Sequence, residues 1–336
     1  MSSFPSLLRF IPIYKEKIWG GRRLQASLKR NIPAGKIGES WELSDYGDDQ
    51  SRISNADSIS FNALYKQFPK EVLGATFIDK PFPLLVKIID ANDKLSVQVH
   101  PDDAYAETYD PSSSGKKECW MVLSAEPGAE LVVGFSRTLE RNEYESLVLQ
   151  NNGEEPLRRW KVKAGDVFLL EPGTIHAIGA GVLLLEVQQS SDSTYRVYDY
   201  GRLGDDGKPR SLHLKKALDV LNFSQSDSSE KQIAKLISFS PWKRSVFTSN
   251  DKFRLESWEF PQAQFLCLRP LSNPVSFGIV YVKSGALIKV DTGERFQAGD
   301  TFLITAKAFE NEEILLTEPK TELAFMGSGT DFVNWD

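Results

Sequence analysis

The sequence predicts a mainly β protein of two domains, each a β-barrel or sandwich, with a few peripheral helices. Three observations carry that expectation. Short β-rich runs recur along the chain between Gly, Pro, Asn and Asp residues, the spacing of a sandwich or barrel. Helical periodicity is confined to a few stretches. A seven-residue segment, Ala164-Gly-Asp-Val-Phe-Leu-Leu170, also returns as Ala298-Gly-Asp-Thr-Phe-Leu-Ile304, as two copies of one fold would produce. The length, 336 residues, suits two domains of roughly 100–200 residues, each able to bury a core without disulfides.

In chain order, the clearest strands are Pro83-Leu-Leu-Val-Lys-Ile-Ile89, Leu95-Ser-Val-Gln-Val-His100, Cys119-Trp-Met-Val-Leu123 and Leu131-Val-Val133. Helices are expected over residues 61–74, 138–150 and 212–221, the last from the spacing of Leu214, Leu218 and Leu221. The polar stretch Asn222-Phe-Ser-Gln-Ser-Asp-Ser-Ser-Glu-Lys-Gln232 reads as a linker, and strand-like patterning resumes near Ile237. Domains are therefore drawn at residues 1–232 and 233–336. In each copy of the repeat a Gly-Asp turn opens a strand, but the continuations differ. The first reaches Glu171-Pro-Gly-Thr-Ile-His176, and the second reaches Thr305-Ala-Lys-Ala-Phe-Glu310 without a histidine.

Composition narrows the function classes. With 46 Asp+Glu against 40 Lys+Arg the formal charge is −6, so the chain lacks the basic excess of a broad nucleic-acid footprint, although a local basic site is compatible with it. Cys119 and Cys267 lie far apart and form neither a disulfide framework nor a metal knuckle, which fits a reducing compartment. The N-terminal residues show no basic region ahead of a long apolar stretch, and no window approaches eighteen uninterrupted apolar residues. The expectation is a cytoplasmic protein without membrane or nucleic-acid partners.

Only three histidines occur, so a metal site must use them sparingly. Gln98 and His100 lie two apart in an alternating strand and share a face. Glu118 opens a strand and His176 closes another. Two imidazoles, a carboxylate and an amide oxygen on neighbouring strands form a set suited to Zn²⁺ and tolerable to other divalent ions. His213 has no companion ligand nearby and reads as structural or helix-capping. Lys87 interrupts the apolar run Leu84-Leu-Val-Lys-Ile-Ile89, and Glu186 ends Val182-Leu-Leu-Leu-Glu186; either charge, if buried, needs a partner.

The runs Leu95-Ser-Val-Gln-Val-His-Pro-Asp-Asp103, Gly115-Lys-Lys-Glu-Cys-Trp120, Pro172-Gly-Thr-Ile-His-Ala177 and Thr194-Tyr-Arg-Val-Tyr-Asp-Tyr-Gly-Arg202 together resemble the type I mannose-6-phosphate isomerase family. They match its short bacterial form, within the cupin superfamily. Trp19-Gly-Gly21 and Gly38-Glu-Ser-Trp-Glu-Leu-Ser44 extend the likeness over most of the chain. The resemblance implies two cupin jelly-roll barrels, the C-terminal one degenerate and without metal ligands. It implies one Zn²⁺ per chain held by Gln98, His100, Glu118 and His176. Arg196, Lys116 and Glu186 would be catalytic, with Lys87, Glu39 and Trp19 lining the pocket of a small sugar-phosphate substrate. The implied reaction interconverts mannose 6-phosphate and fructose 6-phosphate through an enediol. Glu186, Lys116 or a metal-bound water could be its base. A cupin metal-dependent oxygenase and a non-catalytic sugar-phosphate-binding bicupin are the alternative readings.

Overall fold

A computed structural model describes residues 5–54, 59–111, 114–204, 207–226, 230–238, 241–270 and 274–328. The chain divides into two units, one of Tyr14–Trp41 and Lys87–Gln232, the other of Met1–Ile13, Glu42–Val86 and Ile233–Asp336. The division after Gln232 coincides with the polar linker. Residues 1–13 and 42–86, grouped with 1–232 from sequence, instead cluster with the C-terminal segment, because Leu7–Ile11 pairs antiparallel with Thr301–Ile304.

The first unit is built on a six-stranded and a five-stranded sheet. The six strands run in the order Ile13–Gly21, Ile37–Leu43, Leu84–Ala91, Val182–Gln189, Glu118–Ala125, Val167–Leu170. The five run Leu157–Lys161, Glu130–Phe135, His176–Ile178, Val97–Val99, Tyr195–Tyr198. Trp120, Val122, Phe168 and Leu184 of one sheet pack with Leu131, Val133 and Ile178 of the other in a single buried cluster, which removes from water the apolar face that each alternating strand presents.

The C-terminal segment repeats this plan. Its larger sheet contains Lys235–Ser238, Lys243–Ser249, Phe253–Phe260, Thr321–Ser328, Gly278–Ser284 and Thr301–Ile304, in that order, extended by Leu7–Ile11 and Arg52–Ile53. A four-stranded sheet runs Arg295–Gln297, Ala286–Lys289, Ile314–Thr317, Gln264–Cys267. The repeated heptapeptide occupies equivalent places. Gly165 and Gly299 adopt φ of 89° and 91°, a region that favours glycine. Their N–H groups donate to Val122 and Val282 carbonyls at 2.9 and 2.8 Å. Register then aligns the copies residue by residue, since Leu170 stands opposite Glu118 whereas Ile304 stands opposite Gly278. The position of the first copy's buried carboxylate is thus a glycine in the second. A Cβ on Gly278 would meet the Phe325 ring at 2.4 Å and that of Phe309 at 3.3 Å, and Phe325 stacks on Trp258 with centroids 4.7 Å apart.

The helices are short. Residues 61–74 hold two helices, Phe61–Gln67 and Pro69–Val72, separated at Phe68 (φ −132°, ψ 59°), because a residue before proline is pushed out of the α region. Arg141–Leu149 and Leu214–Val220 lie within the other expected stretches. Asp103–Tyr109, outside the helical stretches expected from sequence, is helical and capped by Asp102, whose carboxylate accepts from Tyr105 N–H.

Candidate metal centre

Three adjacent strands of the five-stranded sheet place His176, Gln98 and Arg196 directly opposite one another in register. Their side chains therefore share one face. In the six-stranded sheet, Glu118 and Trp120 are two apart on one strand, and Gln188 and Glu186 stand opposite them. The two sheets bring these rows together. His100 lies just past Val97–Val99, where its carbonyl accepts from Gly173 N–H at 2.9 Å.

His100, Glu118 and His176 are 2%, 0% and 1% exposed. The two Nε2 atoms are 3.1 Å apart, and each is 3.4 Å from a Glu118 oxygen. Metal–ligand bonds of about 2.0–2.1 Å in a tetrahedron require ligand–ligand edges of about 3.3 Å; the two imidazole nitrogens are spaced close to that, and each lies at such a separation from a different Glu118 oxygen, Oε2 for His100 and Oε1 for His176. Glu118 Oε2 faces the Lys116 ammonium at 3.0 Å, while Oε1 accepts no hydrogen bond from the described residues, a costly arrangement for a buried oxygen unless a second cation faces it. His176 Nδ1 lies 2.8 Å from the Thr174 carbonyl. That contact favours a proton on Nδ1 and leaves Nε2 bare for a metal. The Gln98 amide nitrogen is 3.3 Å from His176 Nε2, and an amide flip would turn its oxygen to the same point. The three residues can therefore hold a metal ion, with the Gln98 amide within reach.

The protonation states fit as well. Burial first, and then the Lys116 charge, holds the His100 imidazolium down to about 3. Burial likewise lowers His176. Burial opposes ionisation of Glu118, but Lys116 and the imidazoles outweigh it and hold the carboxyl well below its usual range. Neutral imidazoles and an ionised carboxylate are the forms that bind metals. Lys116 Nζ lies 3.0 Å from Glu118 and 3.2 Å from His100 Nε2.

A polar cleft of about 260 Å³ is lined by Gln98 and Lys116, and also by Trp19, Glu39, Lys87, Glu186 and Arg196. Every ligand, catalytic or pocket residue expected from sequence thus lies in the triad or on this cleft. Lys87, 3% exposed, meets Glu186 at 3.6 Å, Asp192 at 3.9 Å and the Trp41 ring at 4.9 Å, the partners that its place in an apolar run required. Glu186 accepts from the Trp120 indole at 2.8 Å. Burial and the Glu118 charge raise its carboxyl to about 6. Burial also opposes the charge on Glu39, but Lys87, Lys17 at 3.1 Å and the Trp41 indole at 2.8 Å prevail, leaving it at about 2. Trp19 serves both core and cleft. Arg196 donates to Ser96 Oγ at 3.3 Å and the Ser211 carbonyl at 2.9 Å. His213 occupies the cap position of Leu214–Val220 without capping it, and its Nδ1 accepts from the Arg196 backbone N–H at 3.1 Å, a structural role.

Sequence reasoning missed Lys17, Asp192 and Arg210 on this cleft. Arg210 follows Gly207-Lys-Pro, which reads as a solvated turn. The available signal was Asp199, which continues the alternation of buried Tyr195 and Val197 and is itself 5% exposed; a buried carboxylate there demands cations.

Comparison with known proteins agrees with this arrangement. The profile of the phosphomannose isomerase type I catalytic domain matches residues 7–130. The chain is 36% identical over 299 residues to a Bacillus subtilis (strain 168) protein named probable mannose-6-phosphate isomerase, covering 88% of this chain and 92% of that protein. It is 38% identical over 251 residues to the mannose-6-phosphate isomerase of Streptococcus mutans, covering 73% and 76%. The crystal structure of the mannose 6-phosphate isomerase from Bacillus subtilis matches with a TM-score of 0.85 at 30% sequence identity, over 96% of this chain and 99% of that one.

Proposed function

The chain belongs to the type I phosphomannose isomerase family, and on that premise we propose how it works. It is a mannose-6-phosphate isomerase that interconverts mannose 6-phosphate and fructose 6-phosphate. Its metal is Zn²⁺, one per chain, held by His100, His176 and Glu118 with the Gln98 amide. The observation that carries this reading is the cluster of donor atoms, two imidazole nitrogens 3.1 Å apart and each 3.4 Å from one oxygen of the buried Glu118 carboxylate.

Aldose–ketose isomerisation moves one proton between C1 and C2 and another between O2 and O1. The cleft must therefore offer a base beside the carbons and donors beside the oxygens. When bound, Zn²⁺ supplies Lewis-acid stabilisation of the charge that develops on the substrate oxygens. Glu186 serves as the base. Trp120 fixes one of its oxygens, while the other accepts no hydrogen bond from the described residues. It takes the proton from C2 of mannose 6-phosphate and returns it to C1. Lys116 donates to a substrate oxygen, and Arg196 contributes fixed positive charge on the same face as Gln98. Lys87 keeps Glu186 oriented, Glu39 holds Lys87 and Lys17, and Trp19 gives the cleft an apolar wall that excludes water.

This chemistry belongs to the unit of residues 14–41 and 87–232. The C-terminal barrel is a degenerate cupin whose ligand positions have been refilled. The protein works in the cytoplasm, where its two unpaired thiols, Cys119 and Cys267, stay reduced; no helix among the described residues is long and apolar enough to cross a membrane. The test is a coupled assay on zinc-replete and chelator-treated protein. Turnover is expected to vanish on chelation and return with Zn²⁺. Activity that survives thorough metal removal, or is absent from zinc-replete protein, overturns the mechanism.

A further inference from the structure

The four-stranded sheet of the C-terminal segment has one covered face and one bare face. Leu266, Leu287, Phe296 and Leu315 point inward and belong to the buried cluster of this barrel. The alternate positions Phe265, Ile288, Val290, Ile314 and Leu316 point outward and are apolar as well. Phe265, Val290 and Ile314 keep 68%, 48% and 47% of their surface exposed, where a solvated strand would carry polar residues. The corresponding five-stranded sheet of the first unit also has an apolar outer face, with Val97, Val99, Ala177 and Val197. There the helices Arg141–Leu149 and Leu214–Val220 cover it with Tyr144, Val148 and Leu218. Among the described residues the C-terminal segment has a single helix, Ala306–Glu310, and that helix turns Ala308 and Phe309 into the interior cluster instead.

Register makes this bare face complementary to itself. Arg295, Ile288, Leu316 and Phe265 stand directly opposite one another in a row across the four strands. In the next row, the Ile314 carbonyl accepts from Val290 N–H at 3.3 Å. The first row thus runs from a guanidinium at one edge to an exposed aromatic ring at the other. A two-fold axis lying along the strands, between Ala286–Lys289 and Ile314–Thr317, reverses both rows in a facing copy. It sets Arg295 of each copy over the Phe265 ring of the other, Ile288 over Leu316, and Val290 over Ile314, so that apolar side chains meet apolar partners and each ring meets a cation. Glu318 holds the guanidinium in place, accepting from Arg295 at 2.9, 3.0 and 3.1 Å. The bare surface of Phe265, Val290 and Ile314 is on the order of 300 Å², the size at which an apolar patch marks an interface. It supplies the apolar centre of a contact of about 800 Å² per partner, within a polar rim. We propose that this face joins two copies of the chain in a symmetric dimer, with the two sheets stacked face to face.

Sedimentation velocity on the full-length holoprotein, from sub-micromolar to a few hundred micromolar, measures the association. Wild type should pass from the monomer mass of 37.7 kDa to twice that mass, with a midpoint in the micromolar range expected of a contact of this size. Phe265→Arg sets like charges against each other across the two-fold axis and should raise the dimer Kd about tenfold or more. Phe265→Glu removes the same ring but offers Arg295 a carboxylate, so it should weaken the dimer less than Phe265→Arg does. The reverse order overturns this arrangement of the two sheets. Ile314→Glu places a charge in the apolar centre and should also dissociate the dimer; if Phe265→Arg does not fold, Ile314→Glu decides. kcat and KM should stay at wild-type values in all three variants, as a check on their folding. A dimer whose Kd none of them changes is built on another surface, which overturns the proposal. Wild type that stays monomeric throughout overturns it too, and hydroxyl-radical footprinting then assigns the face elsewhere. Protection of Phe265 in the monomer would give it to residues 329–336 of the same chain, and ready oxidation would give it to a partner of another kind.

Discussion

Glu39 shows how a single buried side chain links cleft architecture to stability. Its carboxyl titrates at about 2 rather than 4.5, so the folded state binds fewer protons than the unfolded state between those values. A depressed folded pKa contributes stability that is present above pH about 4.5 and is lost as pH falls towards 2. The shift corresponds to about 3 kcal/mol at neutral pH. In metal-free protein, the Tm difference between wild type and Glu39→Gln should be large at pH 7 and should shrink as pH falls from 5 to 3; a pH-independent difference would mean that the lysine pairs do not set it. His100→Ala should lose bound metal and turnover together, whereas Arg196→Ala should keep its metal and lose turnover, as metal analysis beside the coupled assay would report. Residues at this scale were legible where sequence context made them costly. Lys87 and Glu186 stood out as charges at the edge of or within apolar runs. Arg210 did not, because its environment is created by Asp199, 11 residues earlier, and a Gly-Lys-Pro-Arg turn has no such cost.

Among the elements, the helix Asp103–Tyr109 begins three residues after a metal-ligand candidate and depends on one cap, Asp102. Asp102→Ala should cost about 1 kcal/mol and lower Tm by a few degrees, leaving metal content unchanged; loss of metal in this variant would show that the helix also holds His100 in place. The sequence signal for this helix was ambiguous, since Pro101-Asp-Asp103 reads equally as a turn and as a capped helix start. The break at Phe68 was legible in principle from Pro69, but amphipathic spacing across residues 61–74 masked it. Strand order was less accessible. The five-stranded sheet joins Val97–Val99 to His176–Ile178, 77 residues away, and no local pattern specifies that pairing. The Ala-Gly-Asp turn was the exception, because it records the same local geometry twice.

For the whole chain, the partition into two units could not be read from a linker alone, since Leu7–Ile11 completes a sheet with strands near the opposite terminus. Counting outward from the repeated turn nevertheless locates the residues of the second copy that stand at the first copy's site positions. Glu118 aligns with Gly278, and Glu186, opposite Trp120, aligns with Phe325, opposite Val280. Gly278→Glu should not restore a second ion: metal stoichiometry should stay at one per chain and stability should fall, because the new Cβ alone would lie 2.4 Å from the Phe325 ring. A stoichiometry of two would refute the refilling. The aromatic plug also bears on how the two copies drift over evolutionary time. In the first, a substitution is tolerated only if it preserves donor atoms. In the second, it is tolerated if it preserves volume. A carboxylate there would need at least one smaller neighbour to arise with it, since the Phe325 and Phe309 rings close the space beside Gly278. Related chains should accordingly diverge faster, and within apolar residue types, around Phe325, Phe309 and Trp258 than around His100 and His176.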